Sequence, residues 1–190
     1  MTRIVAGFAG NLTLAVPKSG TRPTSDRVRE AIFSALDSRD AIAHTRVLDL
    51  YAGSGGLGLE AASRGARSVT LVEKNSTAAA LCRKNAEAIS KRAPSRDAPR
   101  ILVTGQSVQA FLNSSTTEVD LVFIDPPYEL TDEDLAQNLA TLATLLSDDA
   151  LVVVERSTRS PEPDWGDALV LVNRKKYGET TVWYAETATR

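Results

Sequence analysis

The sequence predicts an α/β protein built on a doubly wound, mostly parallel sheet of seven strands. Three observations predict it. The run Leu121-Val122-Phe123-Ile124 is apolar without alternation, as in a strand buried on both faces. It ends at once in Asp125-Pro126-Pro127-Tyr128, where two prolines stop the ladder and Pro126 biases Asp125 away from helical backbone. Similar runs alternate along the chain with helix-spaced apolar stripes, the order expected of a parallel sheet wrapped by helices. Ligands of such sheets sit beyond the carboxyl ends of the strands, which places Asp125 at a binding site.

Taken in order, Arg3 to Val16 alternates loosely around Gly7 and Gly10 and reads as a short hairpin outside the main sheet. Thr24 or Ser25 caps a following helix, and Asp26 and Glu30 lie in or near its first turn. Its apolar stripe is Val28, Ala31, Ile32, Ala35 and Leu36, which leaves Arg22, Arg27 and Arg29 off the packed face. This hairpin and helix form an N-terminal extension over residues 1–36, and residues 37–190 form the main domain. The stretch Arg46 to Asp49 is the first sheet strand. It turns through Gly53, Gly55 and Gly58 into a helix, the layout of a nucleotide-binding βα turn in which glycines let backbone approach a ligand.

Val69–Val72 is the second strand, closed by Glu73, and an acid there suits a ribose diol. Asn75 or Ser76 caps a helix that runs to about Ile89. Ile101–Val103 is the third strand, and Gln106-Ser107 opens the next helix. After the strand ending at Asp125, Leu135, Leu139, Leu142 and Leu146 mark a helix, and Leu151–Glu155 a fifth strand. The stretch from Ser160 to Asp167 reads as a surface loop. Ala168–Val172 and Thr180–Ala185 close the chain as a strand pair joined through Lys175-Lys176-Tyr177-Gly178, which predicts an antiparallel edge strand.

Composition narrows the function. With 190 residues the chain supports one domain with a substantial core. One cysteine, Cys82, allows no disulfide within the chain and fits a cytoplasmic location. With His44 the single histidine, no zinc site is expected. No apolar run reaches membrane-spanning length. Net charge is −2, but it is unevenly spread: residues 1–36 hold five basic against two acidic residues, and residues 118–164 hold twelve acidic against two basic. Further basic groups are Lys91–Arg100 and Arg174-Lys175-Lys176. A basic side and an acidic side are compatible with a nucleic acid docking on one face.

The acceptor pair at the strand end, the Asp125 carboxylate and the Pro126 carbonyl, suits a planar base carrying an exocyclic amine, and Tyr128 offers a ring for stacking. Asp49-Leu50-Tyr51-Ala52-Gly53-Ser54-Gly55, Glu73 and Asp125-Pro126-Pro127-Tyr128 resemble the motifs of class I S-adenosylmethionine-dependent methyltransferases acting on amines. With Arg22-Pro23-Thr24 running into Arg27-Val28-Arg29-Glu30 ahead of the sheet, the chain resembles the RsmD family of bacterial 16S rRNA guanine-N2 methyltransferases from Arg3 to Tyr184. The resemblance implies a Rossmann-like fold, S-adenosylmethionine as cofactor, and 16S rRNA in an assembling small subunit as partner, with the enzyme a cytoplasmic monomer.

It also implies roles. Asp49, Ala52, Gly53 and Gly55 would line the methionine part of the cofactor, with Tyr51 and Ser54 in the same turn. Glu73 would hold the ribose, with Lys74 beside it. The family's usual acid for the adenine amine is replaced here by Gln106-Ser107-Val108, any of which could serve. Asp125 would touch both cofactor and substrate, with Pro126, Pro127 and Tyr128 completing the catalytic set. Arg3, Arg22, Arg27 and Arg29 would bind RNA. Two other functions remain: an adenine-N6 methyltransferase, because Asp-Pro-Pro-Tyr also serves adenine amines, and an NAD-dependent oxidoreductase, because Gly53-x-Gly55-x-x-Gly58 fits a dinucleotide turn.

Overall fold

A computed structural model describes residues 2–17 and 26–188. Arg22, and the expected caps Thr24 and Ser25, lie outside the described residues. Strands β1 (Thr2–Arg3) and β2 (Thr13–Leu14) pair antiparallel as a small separate sheet, and helix α1 spans Asp26–Asp37. The main sheet then alternates with helices: β3 (Arg46–Leu50), α2 (Gly56–Ser63), β4 (Ser68–Val72), α3 (Ser76–Ser90), β5 (Arg100–Thr104), α4 (Val108–Ser114), β6 (Val119–Ile124) and α5 (Asp132–Leu142). A short 3₁₀ turn leads into β7 (Leu146–Ser157), followed by β8 (Leu169–Tyr177) and β9 (Thr180–Thr187).

The seven strands stand in the order β5-β4-β3-β6-β7-β9-β8. Strands β3 to β7 are parallel, and β9 runs antiparallel to both β7 and β8. The antiparallel edge is present: β8 forms it and pairs antiparallel with β9, which lies inside the sheet. The reason is apolar burial: Val182, Trp183, Tyr184 and Ala185 of β9 are buried, whereas Val170, Val172 and Arg174 to Lys176 of β8 are exposed. Lys175, Lys176 and Tyr177 belong to β8, and the turn is Gly178-Glu179. Leu146 opens β7 rather than continuing α5, because the helix ends at Leu142.

Alternation along the strands builds two cores. Val47, Leu71, Leu121, Phe123 and Val153 face one side, where they meet α1, α2, α3 and the N-terminal hairpin. Leu48, Leu50, Val122, Ile124 and Val152 face the other, under α4 and α5. The first core absorbs the N-terminal segment: Ile4, Ala9, Leu14, Ile32 and Phe33 are buried within it. Phe33 packs its ring 5.6 Å from that of Phe123. The stripe of α1 is thus rotated from the expected one. Val28, Arg29, Ile32, Phe33 and Leu36 are buried, while Ala31 and Ala35 are half-buried. A large aromatic fills depth that alanines cannot.

Polar groups of α2 and α3 hold the N-terminal segment on this core. The buried Glu60 accepts from the backbone N–H of Val5 (2.7 Å) and Ala6 (3.0 Å) and from Arg64 Nε (2.7 Å). Ser63 Oγ accepts from Ala9 N–H at 3.0 Å and donates to the Ala6 carbonyl at 2.6 Å. Asn85 on α3 accepts from Ala15 N–H (2.8 Å) and donates to the carbonyls of Ala15 and Ser54 (2.9 Å each). One buried amide therefore ties the N-terminal segment to the glycine turn after β3.

Candidate active site

The strand order reverses between β3 and β6, and beyond their carboxyl ends lies a cavity of about 620 Å³. This is where an open α/β sheet leaves a crevice, because its crossovers diverge to opposite faces. Asp49, Tyr51, Ala52, Gly53, Ser54, Glu73, Lys74, Val108, Asp125, Pro126, Pro127 and Tyr128 all line it. The sheet thus brings together three sequence motifs that lie far apart along the chain.

The floor comes from β3. Asp49 is buried, and its Oδ2 accepts from the backbone N–H of Gly58 at 2.8 Å. Burial pushes its carboxyl up to about 7. The Gly58 hydrogen bond opposes that rise, and the charges of Asp125 and Glu73 add to it. A cation placed beside Asp49 would restore its anionic form. Gly58 has no room for a side chain, since a Cβ there would stand 2.6 Å from Leu71 Cδ2 and 3.1 Å from Asp49 Cβ. Its close approach seats α2 on β3 and β4.

The chain leaves β3 through Tyr51, which has a positive φ of 64°. A non-glycine residue there is strained by roughly 1–3 kcal/mol, and neighbouring contacts hold it. Tyr51 OH donates to Asn138 Oδ1 at 2.5 Å, and Asn138 Nδ2 donates to Gln109 Oε1 at 2.8 Å. Burial, followed by the nearby Asp134 charge, pushes the phenol up to about 12, so it stays a donor. Gly53 (φ 57°) faces open space, so backbone is presented directly to the cavity. Gly55 (φ 86°) does something else. A Cβ there would stand 2.9 Å from Leu59 Cδ1 and 3.0 Å from Cys82 Sγ, and Gly55 does not line the cavity. Its glycine serves the positive φ and the packing at the start of α2.

Glu73 follows β4. Its Oε2 accepts from Gly53 N–H at 2.9 Å and its Oε1 from Asn75 N–H at 2.7 Å. Each oxygen keeps further acceptor capacity for a vicinal diol. Farther along, Val108 lines the cavity but Gln106 and Ser107 do not. Ser107 Oγ instead accepts from Ala110 N–H at 3.3 Å as the cap of α4. Asp125 and Pro126 are half-buried at the end of β6, and Tyr128 stands 76% exposed at the mouth.

Several lining residues were not singled out in the sequence. Glu155, Arg156 and Ser157 come from the end of β7, and Tyr177 to Thr180 from the β8–β9 turn. An acid at the end of a buried strand was the available signal for Glu155; the turn offered none, because β9 had to enter the sheet first. Of the expected RNA contacts, Arg3 and Arg27 are exposed. Arg29 is not: it is buried and lines the cavity, a correction explained by the rotated stripe of α1. Cys82 is buried, and burial pushes its thiol up to about 12, which removes it as a nucleophile. No group of three or more metal-ligating side chains occurs among the described residues.

The donor set fits S-adenosylmethionine. Asp49 is an acid in want of a cation, Gly53 gives bare backbone, and Glu73 offers paired acceptors for a ribose. A cavity of about 620 Å³ matches a ligand of that size. Fold and site define an S-adenosylmethionine-dependent methyltransferase. The chain belongs to the family described as conserved hypothetical protein 95, whose model matches residues 2–186. It is 36% identical over 164 residues to ribosomal RNA small subunit methyltransferase D of Escherichia coli K12, covering 85% of this chain and 77% of the relative. Among solved structures, the Escherichia coli protein yhhF superposes with a TM-score of 0.83 at 29% identity, covering 100% of this chain and 99% of the other. The Thermus thermophilus protein TTHA0928 superposes with a TM-score of 0.78 at 31% identity, covering 97% and 98%. These relatives set aside the oxidoreductase reading of the glycine turn.

Proposed function

We propose that this methyltransferase acts on the exocyclic N2 amine of a guanine in 16S rRNA, within an assembling small subunit. The observation that carries the reading is Asp125. Asp125 and Pro126 follow β6 directly and line the same cavity as Asp49 and Glu73. S-adenosylmethionine supplies a methyl group made electrophilic by its sulfonium. The protein's task is to aim a poor nucleophile, because the amine's lone pair is delocalised into the base. Two acceptors on a stiff Pro-Pro turn fix both N–H groups, which holds the lone pair toward the methyl and favours the charge that develops on nitrogen. The nitrogen, once methylated, would shed its proton to water. No strong base is required.

Tyr128, exposed at the mouth, gives a face on which a base drawn out of its stack would rest. Exposed Arg3 and Arg27 support an RNA partner, as do Arg174, Lys175 and Lys176 on β8, whose turn reaches the cavity. The E. coli relative's small-subunit rRNA name points the same way. A cytoplasmic monomer goes with this reading.

The test is methyl transfer by purified protein to small-subunit particles from a strain lacking the enzyme, followed by mass-spectrometric nucleoside analysis. N2-methylguanosine in 16S rRNA is the expected product. N6-methyladenosine would move the function to adenine. Methylation of added DNA and not of the particles would overturn the RNA reading.

A further inference from the structure

Arg29 is the one buried basic residue among the described residues, with 2% of its surface exposed. A buried guanidinium needs acceptors for its full fork of donors. Arg29 Nη2 donates to the Arg3 carbonyl at 2.6 Å and to Asp26 Oδ1 at 2.8 Å. Asp26 is itself 52% exposed, so its charge is largely screened by water. Arg29 Nε is buried and has no hydrogen-bond partner among the described residues. An apolar side chain would satisfy packing at this position without that cost, so packing alone does not account for an arginine here.

The second observation lies beside it. Helix α2 begins at Gly56; its cap residue Gly55 has no side chain to accept from the first amides, and Asp49 on the floor takes that of Gly58. Arg29 Nη1 stands 3.6 Å from where a Cβ on Gly56 would sit, so the guanidinium lies against the helix N-terminus. Both features are positive, both border the cavity, and both want an anion. Most acids of the site lie away from this end: Glu73 after β4, Asp125 and Glu129 after β6, Glu155 on β7 and Glu179 in the β8–β9 turn, with Asp49 on the floor between. Arg29 and the start of α2 thus form a cationic end, and the rest of the lining is mostly acidic apart from Lys74 and Arg156.

A methionine moiety has matching polarity, with a carboxylate at its tip and cations along its length. We propose that Arg29, together with the N-terminus of α2, recognises the α-carboxylate of the cofactor's methionine moiety. This rests on the cavity being the S-adenosylmethionine site. It assigns Arg29 to the cofactor and removes it from the RNA surface. The pairing also explains why the N-terminal segment is held so firmly by Glu60, Ser63 and Asn85: that clamp fixes the Arg3 carbonyl that orients the guanidinium.

The experiment is titration calorimetry of wild type, Arg29→Met and Arg29→Lys with two ligands, S-adenosylmethionine and its decarboxylated analogue, which keeps the sulfonium and the amine. Wild type is expected to prefer the intact cofactor by roughly tenfold to a hundredfold, the range of a charge-assisted hydrogen bond. Arg29→Met should lose most of that preference, keeping only the part that the N-terminus of α2 supplies. Arg29→Lys should show an intermediate preference, which keeps the test alive if the methionine variant fails to fold. Arg29→Lys or Arg29→Met discriminating as well as wild type would overturn the proposal, and so would equal weakening for both ligands, the mark of a structural role. Wild type binding neither ligand would instead overturn the cofactor reading of the cavity, and the proposal with it.

Discussion

Glu73 accepts the backbone N–H of Gly53 at 2.9 Å, so the residue that ends the second sheet strand holds the glycine turn that follows the first. Two motifs 20 residues apart are thereby one unit. The carboxylate that would receive a ribose diol also shapes the loop facing the methionine part of the cofactor.

Glu73→Ala should therefore weaken S-adenosylmethionine binding by more than a lost diol contact. Charge-assisted hydrogen bonds contribute about 1.5–3 kcal/mol, so affinity should fall at least tenfold in calorimetry. Glu73→Gln keeps one acceptor and should fall between. Unchanged affinity in the alanine variant would remove Glu73 from the site.

Asp125→Ala should nearly abolish methyl transfer while folding and cofactor binding survive. Asp125 is half-buried at a strand end, outside the apolar runs of both cores, so its loss opens no core cavity. Loss of one group acting mainly in the transition state costs about 2.7–4 kcal/mol, or two to three orders of magnitude in turnover. Asp125→Asn separates hydrogen-bond acceptance from charge. Near-normal single-turnover rates in both variants would sink the mechanism.

Asp49 sets a pH dependence. Its folded-state pKa of about 7 exceeds the ordinary carboxylate value, so between that value and about 7 the folded state binds more protons than the unfolded one. Its stabilising contribution is full below that window and is lost as pH rises through about 7. The melting-temperature gap between wild type and Asp49→Asn should shrink, then reverse in sign, over this range. The cationic cofactor favours the anion, so its binding should release a proton and tighten as pH rises through about 7. Calorimetry in buffers of different ionisation enthalpy reads that proton directly; no release in wild type would remove Asp49 from the cofactor's charge.

Glu60→Ala tests the clamp on the N-terminal segment. The substitution leaves two backbone N–H groups without their acceptor and Arg64 without its buried partner. Arg64 keeps Asp37, so the cost is that of amides left without an acceptor, about 1–3 kcal/mol, which should appear as a lower urea midpoint. A change within measurement error would show that the hairpin re-docks on other contacts.

Lys175→Ala with Lys176→Ala tests the RNA face. Both residues are exposed on β8, beside the turn that reaches the cavity. RNA affinity should fall, and the magnitude of the salt slope should drop by about 0.7–0.9 per lost phosphate contact. Cofactor affinity should not move. An unchanged slope would place the RNA on another face, with Arg3 and Arg27 the next residues to replace.

The sheet was legible in the sequence because its information is local. Unalternating runs such as Leu121–Ile124 mean burial on both faces, and Pro126 and Pro127 mark where the ladder stops whatever surrounds them. Asp49, Glu73 and Asp125 could be named for the same reason: each lies at or just after the end of a strand, and a strand end is a position along the chain. The roles of Arg29 and Gly55 and the place of β9 were decided only by tertiary structure. Helical spacing fixes which residues share a face but not the angle at which that face meets the core, and Phe33 turned α1 so that Arg29 faces inward. A positive φ is open to any glycine, but only the fold shows that a side chain on Gly55 would meet Leu59, its Cβ standing 2.9 Å from Leu59 Cδ1. A hairpin's two strands look alike in sequence until the sheet edge chooses between them, and the more apolar β9 took the inside because burial favours it.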